Sequence, residues 1–329
     1  MLKNIPFSLL ELASIREGGT AGETLQNSLQ YAQAAERLGF KRFWLAEHHN
    51  MEGIASSATA VLIGYIAGGT KTIRVGSGGI MLPNHPPLII AEQFGTLASL
   101  YPQRIDLGLG RAPGTDPMTS RALRRDNMAA DDFPTEINLL QQLLAPAAEN
   151  QRLKAIPGVG TEVPIWLLGS SLFSATLAAQ KGLAYVFAGH FAPRLMREAI
   201  HIYQTQFRAS LTLSKPYTML GMPITIAETE SEAKYLATTS QQRILALLRG
   251  KPLWLKPPLT SMEGLWNREE KRHVEEFLSL AAVGNPDQVK NKINALAVEL
   301  DINEFIFTND LYDPAKRIHA LELLAAISR

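Results

Sequence analysis

Residues 39–50 read Gly39-Phe40-Lys41-Arg42-Phe43-Trp44-Leu45-Ala46-Glu47-His48-His49-Asn50. A helix-stopping glycine comes first. The run Phe43 to Ala46 then has the length and aromatic content of a buried strand, and it ends abruptly in a carboxylate, two imidazoles and an amide. A buried parallel strand cannot carry Glu-His-His in its interior without partners. These side chains are therefore expected where the strand leaves a barrel or sheet, the end at which parallel α/β folds place ligands. The same groups can also simply hydrogen-bond a loop, but an ionisable cluster at a strand exit is the better site candidate.

Outward from this stretch the strand–helix pattern repeats. Ile5 to Leu10 reads as a strand, and Leu25, Leu29, Ala32, Ala35 and Leu38 mark one face of a helix that Gly39 ends. Downstream, Ser56-Ser57 offer caps for a helix through Val61, Leu62 and Tyr65 to Gly68-Gly69. Ile73 to Leu82 reads as a third strand broken by Gly76, Gly78 and Gly79, which marks a bulge, a barrel bend or the close approach of another group. Pro86-Pro87 opens a helix through Ile90, Phe94 and Leu97, and the strand Ile105 to Gly110 delivers Arg111 to the exit face. A polar loop from Ala112 to about Asp132 precedes a helix around Ile137 to Leu144.

Strand five, Pro164 to Gly169, runs directly into Ser170-Ser171 and a helix containing Leu177, Ala178 and Ala179. Ala184 to Ala188 is strand six, ending near His190, and its helix runs from about Pro193 to Phe207. Strand seven spans roughly Tyr217 to Ala227 and is followed by a helical pattern from Glu230 to Leu248. A Pro-rich insertion, about 250–266, precedes more helix, a last strand Glu304 to Thr308 and a closing helix. Eight strands alternating with helices, with no second composition regime and no internal repeat, predict a single α/β domain over residues 1–329. Its expected form is a (β/α)8 TIM barrel with the insertion or lid near strand 7.

The chain has 329 residues, 46% hydrophobic and 19% charged, with net charge +1. That balance fits one large core and gives no polybasic surface for nucleic acid or anionic membrane. The absence of cysteine excludes disulfides, thiolate metal sites and thiol catalysis. Met1 to Pro6 has neither a basic n-region nor a long apolar core, and no run reaches the ~18 apolar residues of a membrane span. The expectation is a cytoplasmic protein.

Among candidate chemistries, Gly108-Leu109-Gly110-Arg111-Ala112-Pro113-Gly114 fails as a dinucleotide fingerprint: its third glycine is late, Pro113 interrupts it, and the strand–turn–helix context is missing. Ser170, Ser171 and Ser174 at a helix start make an anion site, phosphate above all, although ordinary N-capping explains serines there too. Arg111, one strand earlier, adds the bidentate positive contact a phosphate takes. For metal, neighbouring strand side chains point to opposite faces, so His48 and His49 should not share one ion, and Glu47 and His49 share a face only if the strand continues. No metal is expected.

Taken together, Trp44-Leu45-Ala46-Glu47-His48-His49-Asn50, the glycine-broken strand with Leu82-Pro83, Ala91-Glu92-Gln93 and Arg104-Ile105-Asp106-Leu107-Gly108-Leu109-Gly110-Arg111 resemble the bacterial luciferase-like flavin monooxygenases over nearly the whole chain. The resemblance implies a TIM barrel holding FMN at its C-terminal face, with reduced flavin and O2 oxygenating a small organic, aldehyde-like or otherwise apolar substrate. By position it makes His48 the active-site histidine and Arg111 a flavin-phosphate arginine, with Ser170, Ser171 and Ser174 the phosphate-cradling segment. Gly78-Gly79 falls where relatives have a non-prolyl cis peptide beneath the isoalloxazine. Two departures bear on phosphate binding: Ser170 stands where the bioluminescent α subunit is acidic, and Ala112-Pro113 follow Arg111 where glycine is common.

With no nicotinamide fingerprint, the reduced flavin is expected from a separate reductase. The resemblance also implies a homodimer through the second helix and the next, for which Gly64, Gly68 and Gly69 with Ala60 and Ala67 would give a small-residue surface; packing within the monomer explains them as well. In related luciferases a segment between strand seven and its last helix is mobile and covers the flavin, so residues 250–266 are expected over the barrel mouth. A static flap pinned by Trp254 and Trp266 is the rival. Two other functions stay open: a deazaflavin-dependent oxidoreductase of the same superfamily, and a non-catalytic flavin-binding protein, against which His48 weighs.

Overall fold

The structure, a computed structural model, describes residues 5–112, 116–123, 132–191 and 193–328. Seven parallel strands follow in sequence order: β1 (Phe7–Glu11), β2 (Arg42–Leu45), β3 (Arg74–Met81), β4 (Ile105–Gly110), β5 (Ile165–Gly169), β6 (Ala184–Ala188) and β7 (Thr218–Ile226). After the three-residue β8 (Ala282–Gly284), which pairs only with the end of β7, comes β9 (Glu304–Thr308). Phe305 of β9 lies opposite Leu220 of β7 and Phe7 of β1, and β6 pairs with β7, so the ring closes with eight strands. This is the expected TIM barrel; the short β8 lies outside the ring and carries no pattern of its own in the sequence.

Helices cover the outside: α1 (Ala21–Leu38), α2 (Thr59–Gly68), α3 (Pro87–Leu100), α4 (Pro117–Ala122), α5 (Phe133–Leu144), α6 (Leu172–Lys181), α7 (Met196–Gln206), α8 (Glu230–Leu248), α9 (Arg268–Phe277), α10 (Pro286–Leu300) and α11 (Pro314–Ser328). Local chemistry sets their ends. Thr20 and Glu23 form a capping box at the start of α1, and Gly39, at φ 85°, closes it in the left-handed region. The expected capping by Ser56-Ser57 does not occur: the residue before α2 is Ala58, with no side-chain cap. Thr59 instead donates its hydroxyl to the carbonyls of Ala46 (3.1 Å) and Ser56 (3.4 Å), tying α2 to the β2 exit. Within the polar stretch after β4, Asp116 caps the short α4, which the sequence reading treats as loop; residues 113–115 and 124–131 lie outside the described residues.

The glycine that ends α2 packs inside the monomer. A Cβ on Gly69 would fall 2.3 Å from Leu29 Cδ1, and one on Gly68 3.0 Å from the Tyr101 hydroxyl. Gly69 is thus packed against α1, while Gly68 stays exposed and Gly64 half-buried beside Val61 and Tyr65. The large apolar side chains that α2 and α3 leave exposed are Val61, Tyr65, Ile89 and Leu100.

Inside the barrel, Leu10, Trp44, Trp166, Val186, Met219 and Ile306 fill the middle, with Trp44 and Trp166 edge to face at 5.3 Å. Below them, at the N-terminal strand ends, Arg42 pairs with Asp106 (2.7 Å) and Glu304 (2.9 Å), and Arg74 pairs with Asp106 (2.6 Å). Both carboxylates are fully buried. Burial alone would lower the Arg42 guanidinium, but the charges of Asp106 and Glu304 raise it above its ordinary value. Apolar plug and ionic layer together leave the C-terminal strand ends as the place for chemistry.

Candidate active site

At that end a cavity of about 280 Å³ is lined by Gly78-Gly79, Gly110-Arg111 and Gly169-Ser170-Ser171 together with Leu10, Trp44 and Ile306 of the barrel interior. The register between β3 and β4 slips between Ser77 and Ile80, which is the bulge that the glycines announce. Ser77 bridges it, donating its hydroxyl to the Gly108 carbonyl (2.8 Å) and accepting from the Gly108 N–H (3.0 Å). The Gly78-Gly79 peptide is cis. A Cβ on Gly78 would sit 2.6 Å from Leu10 Cδ1, and one on Gly79 2.8 Å from the Gly108 carbonyl oxygen, so only glycine fits at either position.

One end of the cavity brings together a helix N-terminus, serine hydroxyls and a guanidinium. Ser171 caps α6, accepting from the Ser174 N–H at 3.4 Å, while the Ser174 hydroxyl donates to the Ser171 carbonyl at 2.8 Å. The free N–H groups and positive dipole end of α6 face the same cavity that Ser170, Ser171, Ser174 and Arg111 line. Capping and anion binding, alternatives in the sequence, are compatible here. Arg111 lies exposed at the rim with its guanidinium 4.2 Å from the Phe173 ring, which aims it without consuming its N–H donors.

His190 and Phe191, at the end of β6, form part of this wall and also face a second, smaller chamber of about 110 Å³. His48 lines that chamber rather than the larger cavity, together with Arg243, Asp310 and Leu253. The Nδ1 atoms of His48 and His190 are both buried and have no hydrogen-bond partner among the described residues. Burial, reinforced by the nearby Arg243 charge, pushes His48 down to about 4, and burial together with His48 does the same to His190, also to about 4. Both imidazoles are therefore neutral at pH 7 and offer a lone pair or a proton to whatever occupies the chamber.

Glu47 explains why His48 points there. Its Oε1 accepts from His49 Nε2 (2.7 Å) and His85 Nε2 (2.8 Å), and its Oε2 from the Met81 N–H (3.0 Å). Burial would raise this carboxyl, but those hydrogen bonds outweigh it and hold it at about 2. β2 ends at Leu45, and the loop, with Asn50 at φ 51°, turns Glu47 and His49 to one side and His48 to the other. As expected, His48 and His49 do not converge. The ligand atoms of Glu47, His49 and His85 do lie within 4.8 Å of one another, a grouping that the sequence reading did not foresee because His85 comes from another element.

The insertion reaches this end of the barrel. Leu253 N–H donates to the Glu52 carbonyl and Leu255 N–H to the Ile15 carbonyl (2.8 and 2.9 Å), while Thr239 holds the Lys256 carbonyl at 2.9 Å. Leu253 and Leu255 are buried, and Trp254 and Trp266 are half-buried. Of the residues singled out in the sequence, Gly78, Gly79, Arg111, Ser170, Ser171 and Ser174 meet on one cavity and His48 stands in the adjoining chamber. His190, Arg243 and Asp310 were not singled out. Of these, only His190 had a signal, its place at a strand exit.

A closed ring of eight parallel strands with helices outside and a cavity at the C-terminal strand ends defines a TIM-barrel protein. The profile of the luciferase-like monooxygenase family matches residues 5–304, and the chain belongs to that family. The chain is 49% identical to the uncharacterized protein YvbT of Bacillus subtilis (99% of this chain, 97% of the relative). It is 47% identical to the luciferase-like monooxygenase of Escherichia coli K12 (98% and 96%). Among solved structures, apo-MsnO8 superposes with TM-score 0.91 at 33% identity, covering 98% of both chains. At 20% and 15% identity the fold alone is shared with two further structures, each with TM-score 0.72. One is the oxygenating constituent of 3,6-diketocamphane monooxygenase in complex with FMN (98% of this chain, 96% of that one); the other is an F420-dependent secondary alcohol dehydrogenase with an F420-acetone adduct (99% of each).

Proposed function

We propose that this chain is an FMN-dependent monooxygenase that uses reduced flavin and O2 to oxygenate a small, apolar, aldehyde-like substrate. The observation that carries the proposal is the convergence of Gly78, Gly79, Arg111, Ser170, Ser171 and Ser174 on one cavity. In this reading Gly78-Gly79 would hold the flavin ring, since a side chain at either position would meet Leu10 or the Gly108 carbonyl. Ser170, Ser171 and the α6 N-terminus would hold its phosphate, with Arg111 able to supply a charge-assisted contact. When bound, the flavin supplies the electrons that activate dioxygen and deliver one of its atoms to the substrate. His48 and His190 hold and move the proton that accompanies transfer, each able to accept at its unpartnered Nδ1. Leu253 covers the smaller chamber and keeps water from it.

With no nicotinamide-binding fingerprint at the site, the reduced flavin would come from a separate reductase, and which of FMN and a deazaflavin co-purifies or binds separates this reading from a deazaflavin-dependent oxidoreductase. The test supplies reduced FMN, O2 and a short aldehyde to wild type and to His48→Ala. Expected are oxygenated product from the wild type, and from the variant unchanged FMN affinity with turnover lower by about 10²-fold or more, the scale of a lost general acid–base group. Equal product yield from the two proteins removes His48 from the mechanism.

A further inference from the structure

The smaller chamber says more about its occupant than that it is apolar. Its volume of about 110 Å³ is framed largely by Met51, Ile54, Ile244, Leu253 and Phe277. By comparison with a ~150 Å³ dry cavity that holds benzene, it suits a group of about four to six non-hydrogen atoms. Into this apolar space projects Arg243, itself buried and held by Asp310 through a single Nη1–Oδ1 contact of 2.6 Å. A guanidinium has five N–H donors, and Asp310 is the hydrogen-bond partner this one has among the described residues. Arg243 lines the chamber, so its remaining donors are open to an acceptor on the occupant, and a charge-assisted hydrogen bond of that kind is among the stronger ones.

The charges decide which acceptor fits. Arg243 and Asp310 cancel, and Arg317, the next cation along, is paired with Glu11 at 2.6 Å. His48 and His190, the other titratable groups on the chamber, are buried and neutral at pH 7. A carboxylate entering would leave an uncompensated negative charge in apolar surroundings, whereas a neutral oxygen acceptor would take the spare donors and leave the balance at zero. Resting on the flavin reading above for the larger cavity, we infer that the smaller chamber is the substrate site and that Arg243, with Asp310 beside it, selects an uncharged carbonyl compound over a carboxylate of the same shape.

The probes are 2-butanone and propanoate, which are nearly isosteric, titrated by ligand-observed NMR at pH 7 without reductant, on apoprotein and on protein given FMN. Wild type should bind 2-butanone at least tenfold more tightly than propanoate. Arg243→Met should weaken the ketone about tenfold, the scale of one charge-assisted hydrogen bond, and, with Asp310 left unpaired, should weaken propanoate at least as much. Asp310→Asn keeps the arginine, frees its charge, and should tighten propanoate about tenfold while changing the ketone little, so the test survives if the methionine variant fails to fold. Propanoate binding as well as 2-butanone in the wild type, binding of neither probe, or an unchanged ratio in Asp310→Asn overturns the inference. Because the ratio is read in apoprotein as well, it stands or falls separately from flavin binding, which the FMN-supplemented samples report on their own.

Discussion

Lowering the pH from 7 to 5 should destabilise this protein through two particular histidines, His48 and His190. Both are buried, both have an Nδ1 without a partner, and both are pushed from 6.5 to about 4 by burial together with a neighbouring cationic or imidazole group. The sign follows from where the protons go. In the unfolded chain each imidazole takes up a proton as pH falls through 6.5, whereas in the folded chain it stays neutral until about 4. The unfolded state therefore binds more protons throughout that window, and stability falls as pH falls. Integrating between pH 7 and 5 gives a loss on the order of 2 kcal/mol for each histidine. The assay is urea unfolding at pH 7, 6 and 5 for wild type and for His48→Gln with His190→Gln. Each substitution shifts the whole curve by its own packing cost, so the slope against pH is the quantity to read. The double variant should lose about 4 kcal/mol less than wild type over the window; parallel slopes would refute the assignment of buried neutral imidazoles.

Other consequences of the geometry can be checked in the same way. Arg42→Met removes the cation that Asp106 and Glu304 share, leaving Arg74 on the first and Lys41 on the second, and should cost about 1–3 kcal/mol in chemical denaturation; no measurable change would mean that the ionic layer is dispensable. We expect a homodimer through the exposed Val61, Tyr65, Ile89 and Leu100 of α2 and α3. Sedimentation showing a monomer at micromolar concentration for the wild type, or an unchanged dimer in Val61→Glu with Leu100→Glu, would count against that face. For the insertion, the bonds of Leu253, Leu255 and Lys256 to the barrel loops and α8 favour a pinned flap, so trypsin cleavage after Arg249 should be slow even without ligand. Fast cleavage there that FMN with substrate suppresses would restore a lid.

The alternation of strands and helices was legible because each barrel strand carries its own apolar run between breakers. β4, β6, β9 and α8 begin and end where the sequence puts them. What escaped were features with no periodicity to read: the three-residue β8, the short α4 within a polar stretch, and the replacement of Ser56-Ser57 by Thr59 at the start of α2. The larger cavity was legible through the glycine-broken strand, Arg111 and the serines, since strand breaks and helix starts leave local marks. The smaller chamber was not. Arg243 sits in a helix where an arginine is ordinary, and Asp310 and His85 gain meaning only when the barrel brings them beside residues tens of positions away. The packing of Gly69 against Leu29 was hidden for the same reason, because only the fold brings α1 beside it.

The central claim, a flavin phosphate held at the α6 N-terminus beside Arg111, is tested most directly by comparing the affinities of FMN and riboflavin, which differ only in that phosphate. Fluorescence titration of the wild type and of Arg111→Ala gives both numbers. A charge-assisted contact of about 1.5–3 kcal/mol, with the helix end adding its share, predicts that the wild type binds FMN at least tenfold more tightly and that the variant loses most of that preference. Equal affinities of the wild type for FMN and riboflavin would contradict it.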